Sequence, residues 1–328
     1  MASRKVTTKP PAKDLKPSAT SQQATTPLTG PKPTLSHFPL ARYTSVLGVH
    51  TSLLTFTALF LPRTSLDSLV DFLSNREIKK PHALRKPDIL EALTQSPPRT
   101  LAWICFGTFI LQLWWAVWMR SWYFESNILK KASKDTDQAA ERMLRGVWNA
   151  KRLTALRDAC LVTLAASLVF HVIIVLFGGP ITSHSLHTYL LGLLVSLLTT
   201  FVPTYTLGPP SFHTSDSESL VRRMTWIRLF AELSPRSPFE RAVVYSSVGT
   251  FLGCWFGAMP LGLDWERPWQ AWPLTPAYGA VSGYILGSLF ALAVNGVHHL
   301  AELGYVERKE AQVEIPAHVK PGGTRGKR

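Results

Sequence analysis

The sequence predicts an all-α membrane protein, a bundle of about six transmembrane helices with both termini in the cytosol. Three observations predict this fold. Six long apolar runs alternate with short charged stretches along the 328 residues. The six runs contain no Asp, Glu, Lys or Arg. The Lys and Arg residues between the runs are concentrated on alternate connections.

Each apolar run is long enough to cross a bilayer, because a hydrocarbon core of about 30 Å requires about 20 helical residues. A charge at the centre of such a helix costs roughly 2.5 to 3.5 kcal/mol on insertion scales, so spans are expected to be free of charge. Six charge-free runs of this length are hard to produce in a soluble protein. We expect spans near residues 43–61, 100–119, 159–179, 186–207, 242–263 and 274–297.

The distribution of basic residues predicts the orientation of the bundle. On one side of the predicted topology, Lys and Arg number 7 in residues 1–42, 9 in 120–158, 5 in 208–241 and 6 in the C-terminal tail. On the other side they number 7 in residues 62–99, none in 180–185 and 1 in 264–273. Because cytosolic connections are enriched in Lys and Arg, both termini are expected in the cytosol. The connection 264–273 then faces the lumen or the outside.

The two ends of the chain are predicted to lie outside the bundle, which occupies residues 43–297. Residues 1–42 are polar and cannot bury enough apolar surface to fold, so we expect a disordered basic arm. The first apolar run follows this long polar segment and exceeds a signal-peptide core, so no cleaved signal peptide is expected. Residues 298–328 form a charged tail, which we expect to be disordered from about Val306.

The net charge of +14 and the three cysteines limit the classes of function. A basic balance is typical of proteins that bind nucleic acids or anionic membrane surfaces. Since the basic residues lie between apolar runs, we favour the membrane and expect no nucleic-acid partner. Cys105, Cys160 and Cys254 lie inside apolar runs without a Cys/His cluster. We therefore expect no disulfide framework, no metal and no cofactor.

Small residues recur at four-residue spacing in the last two predicted spans. They are Gly249, Gly253 and Gly257 in the fifth span, and Gly279, Gly283, Gly287 and Ala291 in the sixth. Helices in lipid associate through close backbone contact and hydrogen bonds, and small residues permit this approach. We predict a tight helical hairpin packed along these glycine ladders. The alternative, in which one ladder binds a partner subunit, stays open.

Two further polar features have more than one interpretation. His50, His171 and Asn295 are predicted at membrane depth, where polar groups are often functional. Since each is isolated, we favour hydrogen bonds to neighbouring helices. The mixed-charge segment 130–157 is either a helix against anionic headgroups or a solvated connector.

The connection between the last two predicted spans carries the densest motif, Pro260 to Pro273, read as PLGLDWERPWQAWP. Its prolines interrupt the helix, and tryptophans favour the membrane interface. Two carboxylates beside an arginine could bind a metal or a phosphate, but no His or Cys accompanies them. We therefore favour a structural surface role, assign no catalytic residue, and keep recognition of a partner or a lipid headgroup as the alternative. The candidate residues are Asp264, Trp265, Glu266, Arg267, Trp269, Gln270 and Trp272.

The same region resembles a known family. Residues 249–287, GTFLGCWFGAMPLGLDWERPWQAWPLTPAYGAVSGYILG, are similar to the signature of the PIG-F family of glycosylphosphatidylinositol (GPI) biosynthesis proteins. That signature is a Gly-rich span, Pro-x-x-Leu-Asp-Trp-[Asp/Glu]-Arg-Pro-Trp-Gln, Trp-Pro and a second Gly-rich span. Residues 170–180, FHVIIVLFGGP, resemble the end of the family's third span. The resemblance covers roughly residues 40–300 and does not extend to the arm or to residues 130–158.

The resemblance implies a multi-pass protein of the endoplasmic reticulum membrane. It implies a non-catalytic subunit that associates with and stabilises large GPI ethanolamine phosphate transferases, which modify mannoses of the GPI precursor. Phosphatase-like transferases need a nucleophile and metal-binding Asp and His in a large lumenal domain. The longest connection predicted on the lumenal side, 62–99, contains one histidine, His82.

Two alternative functions stay open. In the first, this chain contributes residues to the transfer, with Asp264, Glu266 and Arg267 at the active centre. In the second, it transports or scrambles a lipid donor. The GPI precursor or a phospholipid is a further possible ligand.

Overall fold

The computed structural model describes residues 39–64, 93–129, 138–210, 216–263, 265 and 267–314, and all regular secondary structure in these ranges is helical. Within these ranges, six helices are long and apolar enough to cross a membrane. The predicted all-α bundle of about six transmembrane helices is therefore confirmed. Asp264 and Glu266 lie outside the described residues, as do nearly all of the N-terminal arm and the end of the C-terminal tail.

The helices follow the order of the predicted spans, with two shorter helices on the connections. The spanning helices are α1 (Leu40–Phe60), α2 (Pro97–Tyr123), α4 (Arg152–Leu176), α5 (Ser185–Thr199) continued by α6 (Phe201–Leu207), α8 (Pro238–Ala258) and α9 (Leu274–Glu314). The shorter helices are α3 (Gln138–Ala150) and α7 (Ser217–Trp226). Within the segment 130–157, residues 138–150 and 152–157 are therefore helical, and Lys151 forms the turn between them.

The helix α9 extends beyond the predicted span and into the tail that was expected to be disordered. It continues to Glu314, whereas the sequence predicted a span ending at Val297 and disorder from Val306. The residues from Ala301 to Glu314 include many strong helix formers, among them Ala, Leu, Glu, Lys and Arg. Their summed propensity carries the helix past the last apolar residue.

The break between α5 and α6 has a local cause. Pro203 has no backbone N–H, so the carbonyl of Thr199 loses its helical hydrogen bond. The hydroxyl of Ser247 on α8 lies 3.5 Å from that carbonyl oxygen. The break therefore places a hydrogen-bond acceptor of the α5–α6 span against α8.

The α5–α6 span lies at the centre of the bundle, and α4 lies at its edge. Residues 194–206 of α5 and α6 are buried almost without exception. In α4 only Ala159, Thr163 and Ser167 are buried, and its apolar side chains on other faces are exposed. Exposed apolar faces of this kind are expected to contact lipid in a membrane protein.

Candidate functional site: the hairpin of α8 and α9 and its loop

The glycine ladders of α8 and α9 face each other. A Cβ atom added to Gly249 would collide with the carbonyl oxygen of Gly283, and one added to Gly283 would collide with that of Gly249. Gly253 and Gly279 stand in the same reciprocal relation. At the two ends, Gly257 lies against the backbone of Thr275, and Gly287 lies against that of Tyr245. The two backbones are therefore in direct contact, and each glycine ladder packs against the other helix of the hairpin.

Polar contacts close the open end of this hairpin. The Nε of Arg241 on α8 donates to Oδ1 of Asn295 on α9 at 2.6 Å. The amide nitrogen of Asn295 donates to the carbonyl oxygen of Pro238 at 3.0 Å. Asn295 therefore makes the hydrogen bonds to a neighbouring helix that its position predicted.

His50 differs from this expectation. It is fully buried, and its ring lies 4.8 Å from the ring of Trp115 in a stacked arrangement and 5.8 Å from that of Tyr284. Neither ring nitrogen has a hydrogen-bond partner within the described ranges. The expected hydrogen bond to a neighbouring helix is absent there, and the imidazole instead packs against the rings of Trp114, Trp115 and Tyr284. The ring of His171 lies 6.3 Å from that of Tyr189.

Gln270 holds the loop between α8 and α9 in shape. Its side-chain nitrogen donates to the carbonyl oxygens of Pro260 and Leu263, each at 2.7 Å. Its side-chain oxygen accepts from the backbone N–H of Arg267 at 2.9 Å. One side chain therefore joins the two halves of the loop, across the positions of Asp264 and Glu266.

The three tryptophans of the loop take different positions. Trp265 is 55% exposed, and its ring meets that of Trp269 edge to face at a centroid distance of 5.8 Å. Trp272 instead turns towards the bundle, where it packs against the core residues of α5 and α9. Its indole nitrogen donates to the hydroxyl of Thr188 on α5 at 3.1 Å. The loop thus has an outer pair of tryptophans and one inner tryptophan.

The turn after α4 meets this loop through the same threonine. Gly178 has a φ of +100°, a conformation that glycine adopts without steric cost. The turn brings the carbonyl oxygen of Pro180 within 3.2 Å of the Thr188 hydroxyl. Residues 170–180 and the loop before α9 are therefore connected through Thr188.

The exposed groups in the described part of the loop are suited to recognition. No group of three or more His, Cys, Asp or Glu side chains that could hold a metal occurs within the described residues. Gln270 and Trp272 form hydrogen bonds within the chain itself, whereas Trp265 and Arg267 are exposed. The part of the loop that the structure describes therefore presents a cation and an aromatic ring outward.

One buried charge was not singled out by the sequence patterns. Arg120, at the end of α2, is 6% exposed, and its Nη1 donates to the carbonyl oxygen of Tyr205 at 2.6 Å. It directly follows the predicted second span, where an arginine is ordinarily expected to extend into the headgroup region. Only the packing of α3 and α6 around it distinguishes it from such a residue.

Comparison with known proteins identifies relatives of the chain. The model of the family described as "GPI biosynthesis protein family Pig-F" matches residues 82–292. The human "GPI ethanolamine phosphate transferase, stabilizing subunit" is 34% identical over 136 residues, which are 42% of this chain and 57% of the human protein. The "Glycosylphosphatidylinositol anchor biosynthesis protein 11" of Aspergillus fumigatus is 36% identical over 141 residues, 43% of this chain and 42% of that protein.

The match to a third relative is similar in extent. The "Glycosylphosphatidylinositol anchor biosynthesis protein 11" of Pyricularia oryzae is 39% identical over 128 residues, which are 39% of this chain and 42% of that protein. The chain thus spans about half the length of the curated relatives it matches, and no solved structure matches it. The family model, however, covers well over half of the chain. It includes the turn after α4 and the α8–α9 hairpin with its loop, so the resemblance is confirmed and the chain belongs to the Pig-F family of GPI biosynthesis proteins.

Proposed function

We propose that this chain is a non-catalytic membrane subunit that associates with and stabilises large GPI ethanolamine phosphate transferases. It thereby supports the addition of ethanolamine phosphate to mannoses of the GPI precursor. The name of the human relative, a stabilising subunit of such a transferase, supports this role. The chain acts in the endoplasmic reticulum membrane, and its excess of basic residues on one side supports cytosolic termini.

The outer surface of the α8–α9 loop is the observation that carries the proposal. Gln270 and Trp272 bond to the chain itself and so fix the loop from within. Trp265 and Arg267 are exposed on the outside of this fixed loop. Tryptophan and arginine are the residue types that most often dominate the free energy of protein interfaces. A rigid loop that presents both is suited to docking a large partner.

The test replaces these two exposed residues in cells that lack the endogenous chain. The double variant Trp265→Ala/Arg267→Ala is expected to lower both the co-purification and the abundance of the transferase. GPI precursors without ethanolamine phosphate should accumulate in parallel. Trp255→Ala is the matched control, since Trp255 is 58% exposed on the apolar surface of α8. The control should retain normal transferase levels and normal GPI precursors.

Other outcomes favour the alternative functions. If Asp264→Ala/Glu266→Ala abolishes ethanolamine phosphate addition while transferase abundance stays normal, the chain contributes directly to the transfer. If the purified chain alone moves phospholipid between the leaflets of a vesicle, it is a lipid transporter. Normal GPI precursors in cells without the chain would overturn the proposed function.

A further inference from the structure

Arg120 is a buried cation whose hydrogen-bonding capacity is only partly used. Its Nη1 donates to the carbonyl oxygen of Tyr205, but its Nε has no hydrogen-bond partner within the described ranges. No carboxylate in the same ranges forms an ion pair with it. A buried charge without a counter-charge is unfavourable in free energy. The position is therefore suited to an anion supplied from outside the chain.

Aromatic rings hold the guanidinium group in place. Its central carbon lies 4.2 Å from the ring centroid of Trp148 on α3 and 5.2 Å from that of Tyr205 on α6. Trp148 in turn packs against Phe124 at 5.3 Å. Such contacts restrict the orientation of an arginine without neutralising its charge. The cation is therefore preorganised at the junction of α2, α3 and α6.

Two clefts meet at Arg120 and Trp148, a smaller one of about 120 Å³ and a wider one of about 530 Å³. Their charged lining residues are Arg120, Arg145, Lys151, Arg152 and Arg222, with Glu125, Asp158 and Glu218 as the carboxylates. Asp158 already accepts hydrogen bonds from Arg157, the closer at 2.8 Å. Cations therefore exceed carboxylates around both clefts, as a phosphate site requires.

An apolar groove lies between α2, α4 and the α5–α6 span, further along α2 towards its start. Its volume is about 440 Å³. Its larger lining residues are Phe106, Phe109, Cys160, Leu164, Leu197 and Phe201. Phe109 and Arg120 are eleven residues apart on α2, which is about 16 Å at the rise of a helix. On α2 Phe109 is the end of the groove nearest to Arg120, and the groove continues from there to Ala102. An acyl chain spans about half the thickness of a hydrocarbon core, so a chain whose phosphate contacts Arg120 reaches this near end.

We propose that this surface of α2, α4 and α5–α6 binds an anionic glycerophospholipid. The phosphate contacts Arg120 within the two basic clefts, and an acyl chain lies along the apolar groove. The groove favours a membrane lipid over a free anion, since a soluble phosphate gains nothing from apolar surface. The site lies at the opposite end of α2 from its start at Pro97 and does not involve the α8–α9 loop. The inference therefore stands independently of the proposed function.

The test measures lipid binding to the full-length chain purified in detergent, by native mass spectrometry. The probes are dioleoylphosphatidylserine, which is anionic, and dioleoylphosphatidylcholine, which is zwitterionic. We expect tighter binding of phosphatidylserine, and a loss of at least about tenfold in its affinity in Arg120→Gln, because a charge-assisted hydrogen bond is removed. Arg42→Gln is the control, since Arg42 is exposed on α1 and lines neither cleft. Equal affinity of Arg120→Gln and Arg42→Gln would overturn the proposal.

Exposed residues provide a second variant if Arg120→Gln does not fold. Lys151 and Arg152 are exposed at the start of α4, so Lys151→Gln/Arg152→Gln removes cleft charge without removing buried contacts. We expect a several-fold loss of phosphatidylserine affinity in this variant, and an unchanged affinity would overturn the proposal. Displacement of the lipid by millimolar inorganic phosphate would also overturn it, since the site would then bind a free anion.

Binding of the acyl chain in the groove is tested by comparing two further variants. Cys160→Phe fills the apolar groove, whereas Leu161→Phe adds the same ring at a neighbouring position that is 59% exposed. Lipid affinity should fall in Cys160→Phe and remain unchanged in Leu161→Phe. Equal affinities of the two variants would show that the groove holds no acyl chain.

Discussion

The indole nitrogen of Trp272 donates a hydrogen bond to the hydroxyl oxygen of Thr188 at 3.1 Å. Thr188 belongs to the central helix α5, and its hydroxyl also lies 3.2 Å from the carbonyl oxygen of Pro180. The two stretches that resemble the family, the turn after α4 and the loop before α9, thus converge on one threonine. The loop is fixed to the first turn of the central helix α5 as well as to its own hairpin.

Removing this hydrogen bond should loosen the loop. Trp272→Phe retains an aromatic ring but lacks the donor, and a net loss of about 1 kcal/mol is expected for one buried hydrogen bond. The melting temperature of the purified chain in detergent should fall. Trp265→Phe is the control, because that ring is 55% exposed. An equal fall in both variants would show that the bond to Thr188 contributes nothing specific.

The glycine ladders provide a sharper stability test. In Gly283→Ala the new methyl group would meet the carbonyl oxygen of Gly249, so α8 and α9 must separate. We expect a loss of several kcal/mol, at or above the 1–3 kcal/mol typical of overpacking, since backbone atoms cannot move aside as side chains do. The melting temperature and the yield of folded protein would report it.

Gly296 is the matched control on the same helix. A Cβ atom added there meets nothing within 4 Å, and alanine is the better helix former by about 1 kcal/mol. Gly296→Ala should therefore leave the melting temperature unchanged or slightly higher. A large loss of stability in Gly296→Ala would mean that helix flexibility, rather than backbone contact, explains the effect at Gly283.

The fold could be predicted largely because its determinants are local in the sequence. Charge-free runs specify the spans, and glycines four residues apart specify which faces of α8 and α9 meet. The separation of Trp272 from Trp265 could not be predicted, since both follow the same composition rule for interfacial tryptophans. Their difference depends on Thr188, which is 84 residues distant in sequence from Trp272.

Arg120 shows the same limit for a charged residue. In the sequence it ends a span, where arginine is common and ordinarily reaches water. Its burial depends on Trp148 and Tyr205, which come from two other helices. The extension of α9 to Glu314 has a different origin, since helix propensity and not apolar character determines where this helix ends.

Gln270 allows the role of the loop's donors to be separated from that of its acceptor. Gln270→Glu keeps an oxygen to accept from the N–H of Arg267 but loses the nitrogen that donates to Pro260 and Leu263. Gln270→Ala loses all three bonds. Amide hydrogen exchange across residues 260–270 should increase in both variants, and more in Gln270→Ala. Unchanged exchange in Gln270→Ala would contradict the assignment of Gln270 as the residue that fixes the loop.

An ion pair orients the start of α8. The guanidinium of Arg228 donates to both carboxylate oxygens of Glu240, at 2.6 and 3.0 Å, and Glu240 also accepts from the backbone N–H groups of Arg236 and Ser237. The hydrogen bonds to Glu240 raise the pKa of Arg228 above its usual value. The cation therefore stays charged across the pH range in which a membrane protein can be handled.

Two conservative substitutions separate the ion pair between Arg228 and Glu240 from the helix cap that Glu240 forms. Arg228→Lys keeps the charge but not the two-pronged geometry, and Glu240→Gln keeps the shape but not the charge. A double-mutant cycle of these substitutions should give a coupling of about 1 kcal/mol, since the pair is partly buried and bidentate. Glu240→Gln alone should cost more than Arg228→Lys alone, because the carboxylate also caps the first turn of α8. A loss in Glu240→Gln with no loss in Arg228→Lys and no coupling would mean that Glu240 acts only as a cap and that Arg228 is an ordinary surface cation.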